Sequence, residues 1–390
     1  MYVGAVRRRL SLAALAAALI ASLAPGASAQ TAEVQVELPA PTGRHAVGTF
    51  ELELVDRSRA RRLMVQATYP LAAKRHRTCE PSRYISPLVQ PILMEAVAVD
   101  RSIDIRTHVC QGGKVAPGAH PLLIFSHAYT ADRFVYASLV NDLASRGYVV
   151  LAPDHPPDAF AVEYPGGRLV EGEYGRPLSP ADITDEEIAG LNELRAEDVR
   201  FVISKALGLN ARRSSPLHRR LDGRRVGVLG HSLGGSTAAR AAQLDRRIDA
   251  VADLDGSLFG DWTANTGSRT PFMLLAAEGG VGASFTSQPL CSYMAGLRGP
   301  RFAFQLADAL HFSFSDFQSL APRIAVAYPD WVFAGVYQVV VGDIDPDSSI
   351  RAQRGALAEF FARYVKREHR APRPAARAPF TELPVAGCTG

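Results

Sequence analysis

The sequence has only four cysteines in 390 residues, and no two of them show the C-x-x-C spacing. The usual signature of a zinc site or a dithiol redox motif is therefore missing. Past residue 23 there is no apolar run near the roughly 20 residues a membrane-spanning helix needs. Excess charge is also scarce. The formal net charge is +4, three of those charges are Arg7, Arg8 and Arg9, and residues 1–29 contain no acid. The remainder is near +1, which does not indicate a nucleic-acid partner. There is no internal repeat. What is present is an ordinary globular balance, 47% hydrophobic and 21% charged, in a chain long enough for a large core.

The arginines precede an apolar stretch, Leu10–Leu23, then Pro25-Gly26 and the A-x-A pattern Ala27-Ser28-Ala29. This order reads as a signal peptide over 1–29, cleaved before Gln30, and predicts a secreted or periplasmic protein. The apolar run is about 14 residues, too short to anchor the chain across a bilayer. In an oxidising compartment, four cysteines suggest two disulfides. Cys79–Cys110 and Cys291–Cys388 are the expected pairs, because each lies to one side of the central segment.

Hydrophobic patterning predicts one α/β domain over 30–390. Residues 30–45 read as irregular. Thr49–Val55 and Leu63–Tyr69 form a hairpin around the polar turn Arg57–Arg62, and 87–99 is a candidate helix. Short apolar strands follow at Pro121–Ser126, Tyr148–Ala152, Arg225–Leu229, Ile248–Leu254, Phe272–Ala277 and Arg301–Leu306. Between and after them come helical patterns at Val135–Arg146, Glu193–Leu207, Ser236–Leu244 and Ser349–Lys366, the first ending at Gly147 and the second at Gly208. Such alternation predicts a mostly parallel sheet with helices on both faces. A lid-like insertion is expected at about 153–190, and a basic, proline-rich tail, surface-bound or frayed, at about 367–384.

Chemistry concentrates at "GHSLGG", 230–235, between the strand ending at Leu229 and the helix from Ser236. A glycine-rich turn holding a buried serine would satisfy the same letters. In strand–turn–helix context, however, G-x-S-x-G is the elbow that exposes a nucleophile, and Ser232 is that residue. A serine hydroxyl also needs a base, an acid that orients the base, and donors for the oxyanion. Of ten histidines, His311 follows the last core strand, where the base is expected. His127 and His155, at strand ends, read as packing or hydrogen-bonding residues, His231 lies inside the elbow and is expected to point elsewhere, and His369 lies in the tail. For the acid, Asp255 in "VADLDGS" is favoured at the strand's C-terminal edge, with Asp253, two residues earlier on the same strand face, and Glu278, after the next strand, as competitors. The oxyanion donors are expected to be the backbone N–H groups of Leu233 and Tyr129.

"PLLIFSHAYTADR", "GHSLGG", "LDGSLFGDW" and "LHFSFSDF" together resemble the four motif segments of the secreted, plasma-type platelet-activating-factor acetylhydrolases. The resemblance spans about 120–318. It implies an α/β-hydrolase fold, an esterase acting on short acyl esters of phospholipids, and the roles nucleophile, acid and base for Ser232, Asp255 and His311. Ala128 stands where that family has glycine. The elbow is also similar to that of cutinase-like and polyester-cleaving enzymes, so a general carboxylesterase or polyesterase is the second reading. A catalytically silent binding protein of the same fold is the third. The expected partner is a small ester or a phospholipid, presented in solution or at a lipid surface. No cofactor or metal is expected: "DIDPD", 343–347, starts like a calcium loop but has Ser348 and Arg354 where the glycine and the closing acid belong, and reads as a helix cap.

Overall fold

Alternation in "PLLIFS" decides the architecture. Leu122 and Ile124 face one apolar cluster, Leu123 and Phe125 the other, and all four are fully buried. A strand buried on both faces needs helices on both sides. The computed structural model describes residues 34–72, 79–99, 103–172, 183–263, 267–287, 289–331, 334–368 and 377–385. The proposed leader, His369 and Cys388 lie outside these residues.

The first part of the chain supplies β1 (Val34–Glu37), β2 (Val47–Asp56), β3 (Arg61–Pro70), α1 (Val89–Ala96), β4 (Ile103–Arg106), β5 (Cys110–Gln111) and β6 (His120–Ser126). Next come α2 (Ala137–Ser145), β7 (Val149–Pro153), β8 (Ala161–Tyr164), β9 (Arg168–Glu171), α3 (Asp185–Ala211), β10 (Leu221–His231) and α4 (Leu233–Leu244). The last part gives β11 (Ile248–Leu254), β12 (Phe272–Ala277), α5 (Pro289–Gly296), β13 (Arg301–Leu306), α6 (Phe317–Ala327), α7 (Gln338–Val341), α8 (Pro346–Tyr364) and β14 (Phe380–Glu382). A ten-stranded sheet runs in the order β14-β13-β12-β11-β10-β6-β7-β3-β2-β5. Its six central strands, β13 through β7, are parallel, and β14, β3 and β2 are antiparallel to their inner neighbours. Residues of α2 and α8 pack in one cluster, and residues of α3, α4 and α5 in the other. Strand order reverses between β6 and β10, the position at which open α/β sheets leave a crevice at the carboxyl ends.

The expected strands and the first hairpin all form, and the predicted Cys79–Cys110 disulfide is present. Cys291 is also disulfide-bonded, and its expected partner lies outside the described residues. Gly147, at φ 100°, ends α2 as a left-handed cap. "DIDPD" caps α8: the Asp345 carboxylate accepts the Ser348 N–H at 2.8 Å, and Pro346 opens the helix.

Three expectations need correction. Val34–Glu37, read as irregular, is a strand because β4 offers it an edge. α3 starts eight residues before Glu193, since Thr184 and Glu187 form a reciprocal capping box, and runs past Gly208, which faces open space, to Ala211. The lid-like insertion expected at 153–190 contains the β8–β9 hairpin and the first turns of α3, while 173–182 lie outside the described residues. The tail returns to the sheet as β14, paired with β13.

Candidate active site

Four strand ends converge on the site. Ser232 directly follows β10 at φ 56°, ψ −123°, a left-handed conformation that costs a non-glycine residue energy and marks a forced turn. Its neighbours explain why glycine surrounds it. A Cβ on Gly230 would lie 2.3 Å from the Gly234 carbonyl oxygen, and one on Gly234 would lie 2.1 Å from that of Ser126. One on Gly235 would meet the Asp253 carboxylate at 1.8 Å. The turn thus presses α4 against the end of β6, and the serine stands at the helix N-terminus, partly exposed.

Asp255 lies just past β11 with φ 51°. One carboxylate oxygen accepts the N–H groups of Ala277 and Val281, at 2.8 and 3.0 Å. The other is 2.6 Å from Nδ1 of His311, a charge-assisted hydrogen bond. Gly280 permits this approach, since a Cβ there would sit 2.2 Å from that oxygen. His311 opens a short helical turn after β13, and its side chain is 29% exposed where Asp255 is fully buried. With Nδ1 donating to Asp255, Nε2 is left to act as an acceptor. Among the described residues no hydrogen bond joins the Ser232 hydroxyl to His311; such contacts commonly tighten only with substrate bound.

The competitors are placed elsewhere. Glu278 is an exposed acceptor for the Asp308 N–H at 2.8 Å. Asp253 does not share a face with Asp255, because the strand's alternation ends at the positive φ of Asp255. Its carboxyl lies beneath Gly235 and Gly256 and accepts the Gly256 N–H at 2.8 Å. Burial, aided by the nearby Asp255 charge, raises its pKa well above the usual carboxylate range.

His231 was expected to point away from the chemistry; it points into a relay that touches both sides of the site. The Ala128 N–H donates to the Tyr136 hydroxyl at 3.1 Å, and that hydroxyl lies 3.0 Å from His231 Nδ1. His231 Nε2 is 2.9 Å from the His311 carbonyl oxygen, which can only accept. The imidazole is therefore an Nε2–H tautomer, and Tyr136 must donate to Nδ1. Burial, then the neighbouring His311, push the His231 pKa well down and keep it neutral. Neither Tyr136 nor this use of His231 was legible from local pattern. The departure at Ala128 is harmless to the backbone, which does not take a positive φ there. Leu233 is the first residue of α4, so its N–H has no acceptor within the helix.

Fold, switch point, elbow and acid–base pair define an α/β-hydrolase. Comparison with known proteins places it further. Residues 30–165 match the family model for platelet-activating factor acetylhydrolase, isoform II, and residues 181–331 match the PET hydrolase-like model. A protein of Arthroderma benhamiae named "Probable 1-alkyl-2-acetylglycerophosphocholine esterase" is 30% identical over 64% of this chain and 66% of its own length. The platelet-activating factor acetylhydrolase of Gallus gallus is 23% identical over 92% of this chain and 90% of its own. The match to the same-named protein of Canis lupus familiaris, 29% identical, spans 35% of each chain. A solved ferulic acid esterase from Streptomyces cinnamoneus superposes with a TM-score of 0.70 at 29% identity, covering 89% of this chain and 99% of that one. Successive segments of one α/β-hydrolase chain thus match the platelet-activating factor acetylhydrolase, isoform II, and PET hydrolase-like models. Among the described residues no helix is long and apolar enough to cross a membrane.

Proposed function

We propose that the protein is an exported serine esterase that cleaves short-chain acyl esters, phospholipid esters among them. The observation that carries this is the 2.6 Å contact between His311 and the buried Asp255, set at the strand ends beside the strained Ser232 turn. His311 Nε2 takes the Ser232 proton as Oγ attacks the ester carbonyl, and Asp255 stabilises the imidazolium. The oxyanion that develops is met by the N–H groups of Leu233 and Tyr129. Collapse expels the alcohol, protonated by His311, and leaves an acyl-enzyme. Water, deprotonated by His311, then releases the acid and restores Ser232. The phospholipid ester class is supported by the names of the fungal and avian relatives, and export by the charged, apolar and A-x-A order of residues 1–29.

A second substrate reading, a general carboxylesterase or polyester hydrolase, is favoured by two observations. Ser232, Asp255 and His311 all fall in the segment that matches the PET hydrolase-like model, and the structural neighbour is named a ferulic acid esterase. Turnover of an acetyl-glycerophosphocholine against p-nitrophenyl butyrate and a polyester film separates the two. A fluorophosphonate label on Ser232, lost in Ser232→Ala, tests the mechanism. An unlabelled wild-type protein would mean a silent hydrolase fold.

A further inference from the structure

The loop after β6, which carries Tyr129, is gripped from behind by a fully buried arginine. Arg195, on α3, donates to the His127 carbonyl oxygen at 2.7 Å and to the Ala128 carbonyl oxygen at 3.2 Å. Asp158, 1% exposed, holds the guanidinium through both carboxylate oxygens. The His127 ring adds to the grip. Its Nε2 accepts the His155 N–H at 3.0 Å, so Nδ1 carries the proton and donates to the Ala128 carbonyl at 2.7 Å. That carbonyl also accepts the Ala131 N–H at 3.2 Å, closing the turn.

In a trans peptide the C=O and the following N–H point in opposite directions. The two cis bonds among the described residues lie elsewhere, at Pro156-Pro157 and Ala378-Pro379. Drawing the His127 carbonyl toward Arg195 therefore sends the Ala128 N–H the other way, and it is found on the Tyr136 hydroxyl, in the relay that ends at His311. Drawing the Ala128 carbonyl toward Arg195 sends the Tyr129 N–H to the side away from the arginine. The elbow is close by, since a Cβ on Gly234 would be 2.7 Å from the His127 carbonyl oxygen.

We propose that Arg195, braced by Asp158, is a positioning residue for ester hydrolysis: by holding two consecutive carbonyls it aims the Tyr129 N–H at the oxyanion. A purely structural role explains the arrangement less well. An apolar pair of similar volume would tie α3 to β6 without burying two charges, and exchanges of that kind are often neutral or stabilising. The inference rests on the Ser232 esterase reading above.

The test uses the full chain with p-nitrophenyl butyrate and an aryl trifluoromethyl ketone, which forms an oxyanion-bearing adduct with the serine. Arg195→Lys keeps the charge beside Asp158 but cannot span both carbonyls. Its kcat is expected to fall ten- to a hundredfold, with KM within twofold, and the inhibition constant of the ketone is expected to rise by the same factor as kcat falls. Asp158→Asn, which leaves the arginine unbraced, shifts both in the same direction by less. If Arg195→Lys does not fold, the charge-free pair Arg195→Met with Asp158→Leu takes its place under the same readout. A folded variant that keeps kcat and ketone affinity within twofold of wild type overturns the inference and leaves Arg195 a structural ion pair. Ser232→Ala in the same assay separates the two levels. If it remains active, the esterase reading fails; if it is inactive while the arginine variants are unimpaired, only the positioning role falls.

Discussion

Among the described residues two Ser–His–Asp constellations stand out, and the more completely hydrogen-bonded one is not the proposed site. In the interior, the Ser126 hydroxyl lies 3.1 Å from His155 Nε2, and His155 Nδ1 lies 3.2 Å from Asp198. All three residues are fully buried. At the strand ends, the buried Asp255 and the partly exposed His311 are joined at 2.6 Å, yet among the described residues no hydrogen bond joins His311 to the Ser232 hydroxyl. What separates the sets is access and charge. Ser126 ends a strand whose residues are all buried, whereas Ser232 occupies a strained, partly exposed turn at a helix N-terminus. Asp198 also pairs with Arg59 and Arg61, so its charge is already neutralised, while Asp255 is met by two backbone N–H groups and His311. For Asp198, burial would raise the pKa, and the bonds from His155 and Arg61 outweigh it and lower it; for His155, burial dominates and lowers it. The interior set is a neutral imidazole in an ion-pair network that joins β3, β6 and α3. A hydrogen-bonded triad is thus not evidence of a nucleophile unless substrate can reach the serine.

The strongest way to break this comparison is to delete each serine. Ser232→Ala is expected to lower kcat for a soluble ester by about 10⁴-fold or more, and Ser126→Ala by less than about threefold. Steady-state hydrolysis by the two variants reverses the assignment if the order is opposite. Exchanging the acids comes next. Asp255→Asn should lower kcat by about 10³–10⁴-fold with a thermal midpoint near wild type, because the imidazole is then held in the wrong tautomer. Asp198→Asn should leave kcat/KM of the folded fraction nearly intact and cost about 3 kcal/mol of stability, since Arg61 and Arg59 lose their buried counter-charge. Denaturant titration and kinetics on both variants separate the two costs.

A smaller effect is expected at Tyr136, which belongs to the site's supporting relay. Tyr136→Phe strands the Ala128 N–H and His231 Nδ1, at a cost of about 1–3 kcal/mol, with a kcat loss of about tenfold or less that equilibrium unfolding and ester kinetics would report. The smallest concerns Asp132, in the same loop, which receives the Ala161 N–H at 3.3 Å. Burial raises its pKa from 3.8 to about 7. Between about pH 4 and 7 the folded state therefore holds a proton that the unfolded state releases, so this group's contribution weakens stability as pH rises through that window. Asp132→Asn removes that dependence, and the drop in thermal midpoint between pH 5 and pH 8 should shrink in the variant.

The sheet was legible because its strands are short apolar runs bounded by turns, and "GHSLGG" was legible because close backbone approach demands glycine. Asp255 stood out beside Glu278 through its place at the end of β11. The buried polar framework was not legible. Arg195 and Asp198 lie three apart on a helix and belong to no recognisable motif, although Leu191, Val199 and Val202 on the same helix are buried with them. That stripe of apolar neighbours was the available signal. β1 and β14 escaped for another reason: "VQVE" and "FTE" contain strand-favouring Val, Phe and Thr, but runs of four and three residues become strands only where a partner edge is waiting.

The late pairing of Phe380–Glu382 with β13 has a consequence for assembly. The strand that leads to His311 has β12 on one side and, on the other, a segment about 75 residues later in the chain. Until that segment emerges, β13 presents an open row of hydrogen-bonding groups, the feature by which nascent sheets recruit the wrong partner. Chains cut before Phe380 should therefore be lost to aggregation more than to slow catalysis, and the C-terminal residues act as a seal applied at the end of synthesis.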